Sequence, residues 1–182
     1  YTMKKAFFLL FFVLCVASCG NAPKKSIPII EWTDSIIAKY PNYHSNDLIK
    51  NVVEDAANNY STGFINKQAS ILEGIDFRFV KMIENKDSFA VFFDAAHCYS
   101  DIDYEAGNKK HIHTDIIIRV LGKVDKATAS KLDDDKYYNI SGVVNEWDKE
   151  DRFFISHSSF DKIDFGTFIL NKDIEINEVK DE

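Results

Sequence analysis

The chain has 182 residues, a formal charge of −7 and 46% hydrophobic residues, among them 15 Phe and 8 Tyr. That apolar content excludes a disordered chain, and the length suits one domain with a core of its own. The acidic balance excludes a polyanion-binding role, which needs clustered Lys and Arg, so no nucleic acid partner is expected.

Tyr1 and Thr2, ahead of Met3, fit no targeting pattern and are set aside. Lys4 and Lys5 then precede an apolar run over residues 6–16, closed by the small residues Ala17 and Ser18 before Cys19. A basic start, a short apolar stretch and a small-residue cleavage site describe an export signal, and the run is too short to span a bilayer. Val16-Ala17-Ser18-Cys19 resembles the lipobox of bacterial lipoproteins. The resemblance implies a signal peptide over residues 1–18, lipid attachment at Cys19, and a membrane partner held through that lipid. Gly20-Asn21 lacks the Asp that retains such proteins at the inner membrane, which implies the outer membrane, facing the periplasm. Loss of Lys4 and Lys5 takes the formal charge from −7 to −9, so the domain itself should not adhere to an anionic bilayer. Of three cysteines, Cys15 leaves with the leader and Cys19 takes lipid, so Cys98 stands alone and no intrachain disulfide can form.

Residues 19–30 read as a tether, with Pro23, Pro28 and the Lys24-Lys25 pair and no periodicity. Fully extended, residues 20–28 span about 30 Å. A single domain is expected over residues 31–182, helical over 31–72 and β-rich over 75–179. A short helix is expected at 29–40, with Thr33 or Asp34 as cap and Pro41 as stop. Ser45-Asn46-Asp47 is an N-cap cluster for a second helix, in which Leu48, Val52, Ala56 and Tyr60 recur at helical spacing. That stripe is expected to pack on a sheet, Gly63 to end the helix, and a further helical turn to reach Leu72.

After Gly74 the period becomes two. Ile75, Phe77, Phe79, Lys81 and Ile83, the turn residues Asn85-Lys86-Asp87, and Phe89, Val91 and Phe93 read as a β-hairpin over 75–96. Residues 97–110 read as a polar loop. Ile112, Thr114, Ile116, Ile118 and Val120 form one face of the next strand, with His111, His113, Asp115, Ile117 and Arg119 on the other. The connection 125–135 leads to a strand through Tyr138, Ile140, Gly142 and Val144, where a mid-strand glycine implies a bulge or bend. Further strands are expected at 152–156 and at 167–179, the latter interrupted near Asn171. Connections this short make successive strands antiparallel neighbours, so the expected class is α+β, N-terminal helices followed by an antiparallel β-sheet or small barrel. The segment 137–144, with Gly142 among alternating apolar residues, is similar to a strand of the OB-like modules of exported lipoproteins. That resemblance implies a small OB-like barrel.

The one cluster with chemical potential joins His97, Cys98, Asp94, Asp101, Asp103 and Glu105 to His111, His113 and Asp115. Two His two apart on a strand share a face and can bind one metal, with Asp115 continuing that face. An exposed polar strand face is the plainer account of the same residues. The run Asp101-x-Asp103-x-Glu105 is not an EF-hand: its sixth position is Ala106 and its twelfth Ile112, where Gly and Glu are required. His97 and Cys98 would point to opposite faces of an extended strand, which argues against a thiol nucleophile. Ser156-His157-Ser158 lacks a nucleophile elbow, and no glycine-rich nucleotide loop occurs. Trp32, Trp147 and Tyr137-Tyr138 are candidates for sugar stacking and equally for core packing. The function expected is a non-enzymatic binding or scaffold module of the cell envelope, without cofactor, for a protein or a glycan. The alternative is a metal-dependent hydrolase using His111, His113 and nearby carboxylates.

Overall fold

The structure is a computed structural model that describes residues 26–106, 108–149 and 162–180. The expected signal peptide, the lipid site Cys19, the strand at 152–156 and the Ser156-His157-Ser158 run lie outside the described residues. Helix α1, Pro28–Lys39, opens with Pro28 in its first turn, where a missing N–H costs nothing. Thr33 and Asp34 therefore sit inside the helix and do not cap it. Helix α2, Asp47–Thr62, is capped by Asn46, whose side chain accepts from the amides of Leu48 (3.1 Å) and Ile49 (3.2 Å). Gly63 ends it, and a 3₁₀ turn follows at Ser70–Leu72. No helix among the described residues is long and apolar enough to cross a membrane.

The buried face of α2 is not the expected one. Val53, Ala57 and Ser61 are buried, whereas Leu48 is 78% and Val52 47% exposed. Two apolar stripes run side by side on this helix, and docking against the sheet selects the second. Ser61 donates to the carbonyl of Phe165 (2.9 Å), and Trp32 of α1 stacks on Tyr60 of α2 at 4.9 Å while meeting Phe165 edge-on.

Six strands are defined among the described residues: β1 Phe77–Asn85, β2 Ser88–Ala95, β3 Tyr99–Ala106, β4 Asn108–Val124, β5 Tyr137–Asp148 and β6 Lys162–Glu178. The short helix α3, Lys126–Ala129, capped by Asp125, separates β4 from β5. The hairpin β1–β2 turns where expected, with Lys86 at φ 51°. Its alternation breaks at Val80, where the register shifts between Phe79 and Lys81.

Two expectations are corrected. Residues 99–106 are a strand and not a loop, paired along their length with the first half of β4. The sheet is also mixed, because β6 lies between β5 and β4, antiparallel to the first and parallel to the second. The physical reason is burial. Ile163, Phe165, Thr167, Phe168 and Leu170 of β6 are all buried, the near-continuous burial of a strand covered on both faces, which suits an interior place in the sheet better than an edge. Spatial order runs β2-β1-β5-β6-β4-β3, and β2 also pairs with β4. The β1–β5 seam holds two residue pairs, Phe77 with Tyr138 and Arg78 with Tyr137, so the described sheet is not a fully closed barrel.

Bends occur where the sequence places glycine or a break in pattern. Register shifts at Gly142 (φ 152°) and opposite Asn171 bend the β5–β6 pair. Gly166 (φ 78°) stands where a Cβ would come within 2.7 Å of the Asp148 carbonyl and of the Trp147 ring nitrogen. Trp147 uses that space to donate to the Phe165 carbonyl at 2.7 Å.

Candidate functional site

The period of two that organises β3 was already present in its residues. Ser100 and Ile102, buried and half-buried, alternate with the exposed Tyr99, Asp101 and Asp103, so one face turns inward and the other to solvent. Ser100 and Thr114, cross-strand partners, are both fully buried beneath the helices. Ser100 donates to Asp34 of α1, and Thr114 shares a hydrogen bond with Tyr43 (2.9 Å). With the inner face pinned in this way, the opposite face of the β3–β4 hairpin is turned to solvent.

On that outer face Asp101 lies across from His113 and Asp103 across from His111. Five side chains form one continuous ladder. His111 Nδ1 contacts Asp103 Oδ1 at 3.1 Å, and its Nε2 contacts Asp101 Oδ1 at 3.1 Å. His113 Nδ1 meets the same Asp101 oxygen at 2.9 Å, and its Nε2 meets Asp115 Oδ1 at 3.2 Å. The Tyr99 ring leans on His113 with centroids 5.1 Å apart. Hydrogen bonding to Asp101 raises the His113 pKa above the usual histidine value, and the same bond lowers that of Asp101. Both imidazoles are more than half exposed, so these interactions are strongly screened by water.

The ladder contains His111, His113 and Asp115 as expected, and adds Asp101 and Asp103 as cross-strand neighbours. Reading 97–110 as a loop hid that pairing, although the alternation of Asp101 and Asp103 with Ile102 signals it. Glu105 continues the register opposite Lys109. Asp94 does not join. It is bound to Arg78 at 2.9 Å on the β1–β2 pair, while the buried Arg119 is held by Asp164 (2.9 Å) and Thr167 (3.3 Å).

His97 and Cys98 stand apart from the ladder. His97 has φ 50°, so the two side chains do not diverge as in a strand; both line a pocket of about 160 Å³ with Ile27, Ile30, Asp76 and Tyr137. Burial pushes the Cys98 thiol up to about 12, which leaves no thiolate for nucleophilic chemistry near neutral pH. Among the aromatic candidates Trp32 packs in the core, Tyr138 is buried, and Tyr137 is 41% exposed at the pocket rim. Asp133, Asp134 and Asp135 bring three carboxylates within 4.8 Å of one another, all exposed, after α3. Comparison of the chain with known protein families, with characterised proteins and with solved structures gives no match.

Proposed function

We propose that this chain is a lipid-anchored module of the cell envelope, attached through Cys19 to the outer membrane and facing the periplasm, that binds a protein or a glycan without chemically converting it. Its build is OB-like. The observation that carries this reading is the circuit of strand pairings: β1 with β2, β2 with β4, β4 with β6, β6 with β5, and β5 back to β1 across a narrow seam. Five strands in a partly open ring are the OB arrangement, whose second and third strands present a ligand-binding face. In this chain those strands are β2 and β4. The formal charge, −7 for the full chain and −9 once Lys4 and Lys5 are lost, directs the ligand away from polyanions. The His–Asp ladder lies on an exposed strand face outside the described pocket, and enzymes favour concave sites. That favours a binder over the metal-dependent hydrolase.

The test is retention of the detergent-purified full chain on isolated murein sacculi and, separately, crosslinking to envelope proteins. Saturable retention on one of them, with the ligand recovered unchanged, is the expected result. Release of a cleaved product would establish the hydrolase in its place, and retention on neither would overturn the proposal.

A further inference from the structure

The pocket beside Cys98 is assembled from four separate stretches of chain. Ile27 stands at the start of α1, Ile75 and Asp76 ahead of β1, His97 and Cys98 in the link between β2 and β3, and Tyr137 at the first position of β5. The Ala96 amide donates to the Asp76 carbonyl at 2.8 Å and ties two of these stretches together. Burial sorts the lining. Ile75 is buried, Ile27 and Cys98 are half-buried, and Asp76, His97 and Tyr137 are exposed. The inside is therefore apolar, and three hydrogen-bonding side chains stand at the mouth. An apolar lining with a few placed polar groups is the make-up of a small-molecule site. The Asn139 side chain donates to Asp76 Oδ1 at 2.9 Å and to the Ile75 carbonyl at 3.2 Å, which holds the carboxylate in place. Asp76 Oδ2 has no partner among the described residues. His97 keeps a left-handed φ of 50°, uncommon for a residue with a Cβ and a conformation that clusters at ligand clamps. The His97 and Tyr137 rings lie 6.2 Å apart, tilted by 58°.

We propose that this pocket binds a single saccharide ring, its C–H face against the apolar lining and Tyr137 and its hydroxyls on Asp76 and His97. The inference rests on the binding-module reading in its glycan form and gives that ligand a place. Size limits the occupant. A cavity of about 150 Å³ accommodates a benzene ring, and a drug-sized site has about 300–1,000 Å³. This pocket holds about 160 Å³, so one six-membered ring fits and a longer ligand continues outside. The chemistry of the mouth limits it further. A carboxylate such as Asp76 only accepts hydrogen bonds, while the Tyr137 O–H and an imidazole N–H donate them. A hydroxyl both donates and accepts, so it satisfies both kinds of group. An ammonium ion only donates and leaves Tyr137 and His97 without an acceptor. An anionic ligand only accepts and meets Asp76 as a like charge. A pyranose carries hydroxyls around its edge and bare C–H groups on its face, which matches a polar mouth over an apolar floor.

The experiment is an NMR titration of the detergent-purified full chain with N-acetylglucosamine and, separately, with methyl β-glucoside. At least one should bind saturably with a Kd of about 1–30 mM, the range that so few contacts provide. Tyr137→Ala and Asp76→Asn should each weaken binding at least about fivefold; the Asn side chain keeps an acceptor for Asn139. Tyr99→Ala, at an exposed ring outside the pocket, should leave the affinity unchanged. In the unaltered protein the sugar should shift the ring signals of His97 and Tyr137 and leave those of His111 and His113 in place, a readout that needs no variant to fold. No saturable binding of either sugar up to about 100 mM, undiminished binding in both pocket variants, shifts confined to residues outside the pocket, or tighter binding of butylamine or of acyclic sorbitol would each overturn the proposal. Absence of sugar binding with retention on sacculi intact overturns the pocket alone. Sugar binding without retention on sacculi or envelope proteins overturns the module reading alone.

Discussion

His113 has an aspartate at each ring nitrogen, and its behaviour with pH follows from the sign of its shift. A raised histidine pKa stabilises the fold below the unfolded value and loses that contribution as pH rises through the folded value. The lowered pKa of Asp101 works in the opposite direction: its contribution is present above the unfolded carboxylate value and disappears as pH falls through the folded one. The two overlap between about pH 4 and pH 6.5, the ordinary carboxylate and histidine values. With a chelator present, His113→Ala should therefore lower the melting temperature most near pH 5, by no more than about 2–4 °C for an exposed pair. The difference should shrink toward pH 8 and again toward pH 3. Melting curves of both proteins across that range check the prediction, and a difference that grows toward pH 8 would contradict it.

At the scale of elements, α2 shows how far periodicity reaches. Leu48, Val52, Ala56 and Tyr60 form a stripe as regular as that of Ile49, Val53 and Ala57, and the two differ by one position, a rotation of about 100°. Nothing local to the helix prefers one stripe. Contact with β6, through Ser61 and Phe165, does. Val53→Ala should accordingly cost about 1–3 kcal/mol in chemical denaturation, because it empties a fully packed position. Val52→Ala, at a site 47% exposed, should cost less than about 0.5 kcal/mol. Equal effects at the two positions would mean that the helix docks differently. The hairpin β1–β2 was legible because its turn lies between two alternating runs and needs no distant partner. Strand β3 carries the same alternation, in Asp101 and Asp103 around Ile102, but its charged outer face gives it the composition of a loop.

For the whole molecule, the proposed lipid attachment can be tested apart from the fold. Acyl chains contribute about 0.8 kcal/mol per buried CH₂, whereas the acidic domain offers no attraction to an anionic bilayer. Cys19→Ala should move the full chain out of the membrane fraction, and retention with membranes at high salt would show that something other than lipid holds it. The sparsest strand pairing is β1–β5, with Phe77 and Tyr138 both buried there. That seam joins the N-terminal hairpin to the late strands, and it is a long-range contact that no local pattern encodes.

The sequence by itself determined the class, the helix-then-strand order, the core-facing row Ile112–Val120 of β4, the bulge at Gly142 and the face shared by His111, His113 and Asp115. These are local properties, set by side-chain alternation, capping chemistry and the conformational freedom of glycine. Only the tertiary structure decided that β6 enters between β4 and β5, which face of α2 is buried, and that Asp101 stands between two imidazoles. The first two depend on which distant surface meets which, and the third on the register of the β3–β4 hairpin, and many pairings can satisfy the same alternation. Burial of β6 removes that degeneracy for the strand order, whereas the ladder follows from the register of the β3–β4 hairpin.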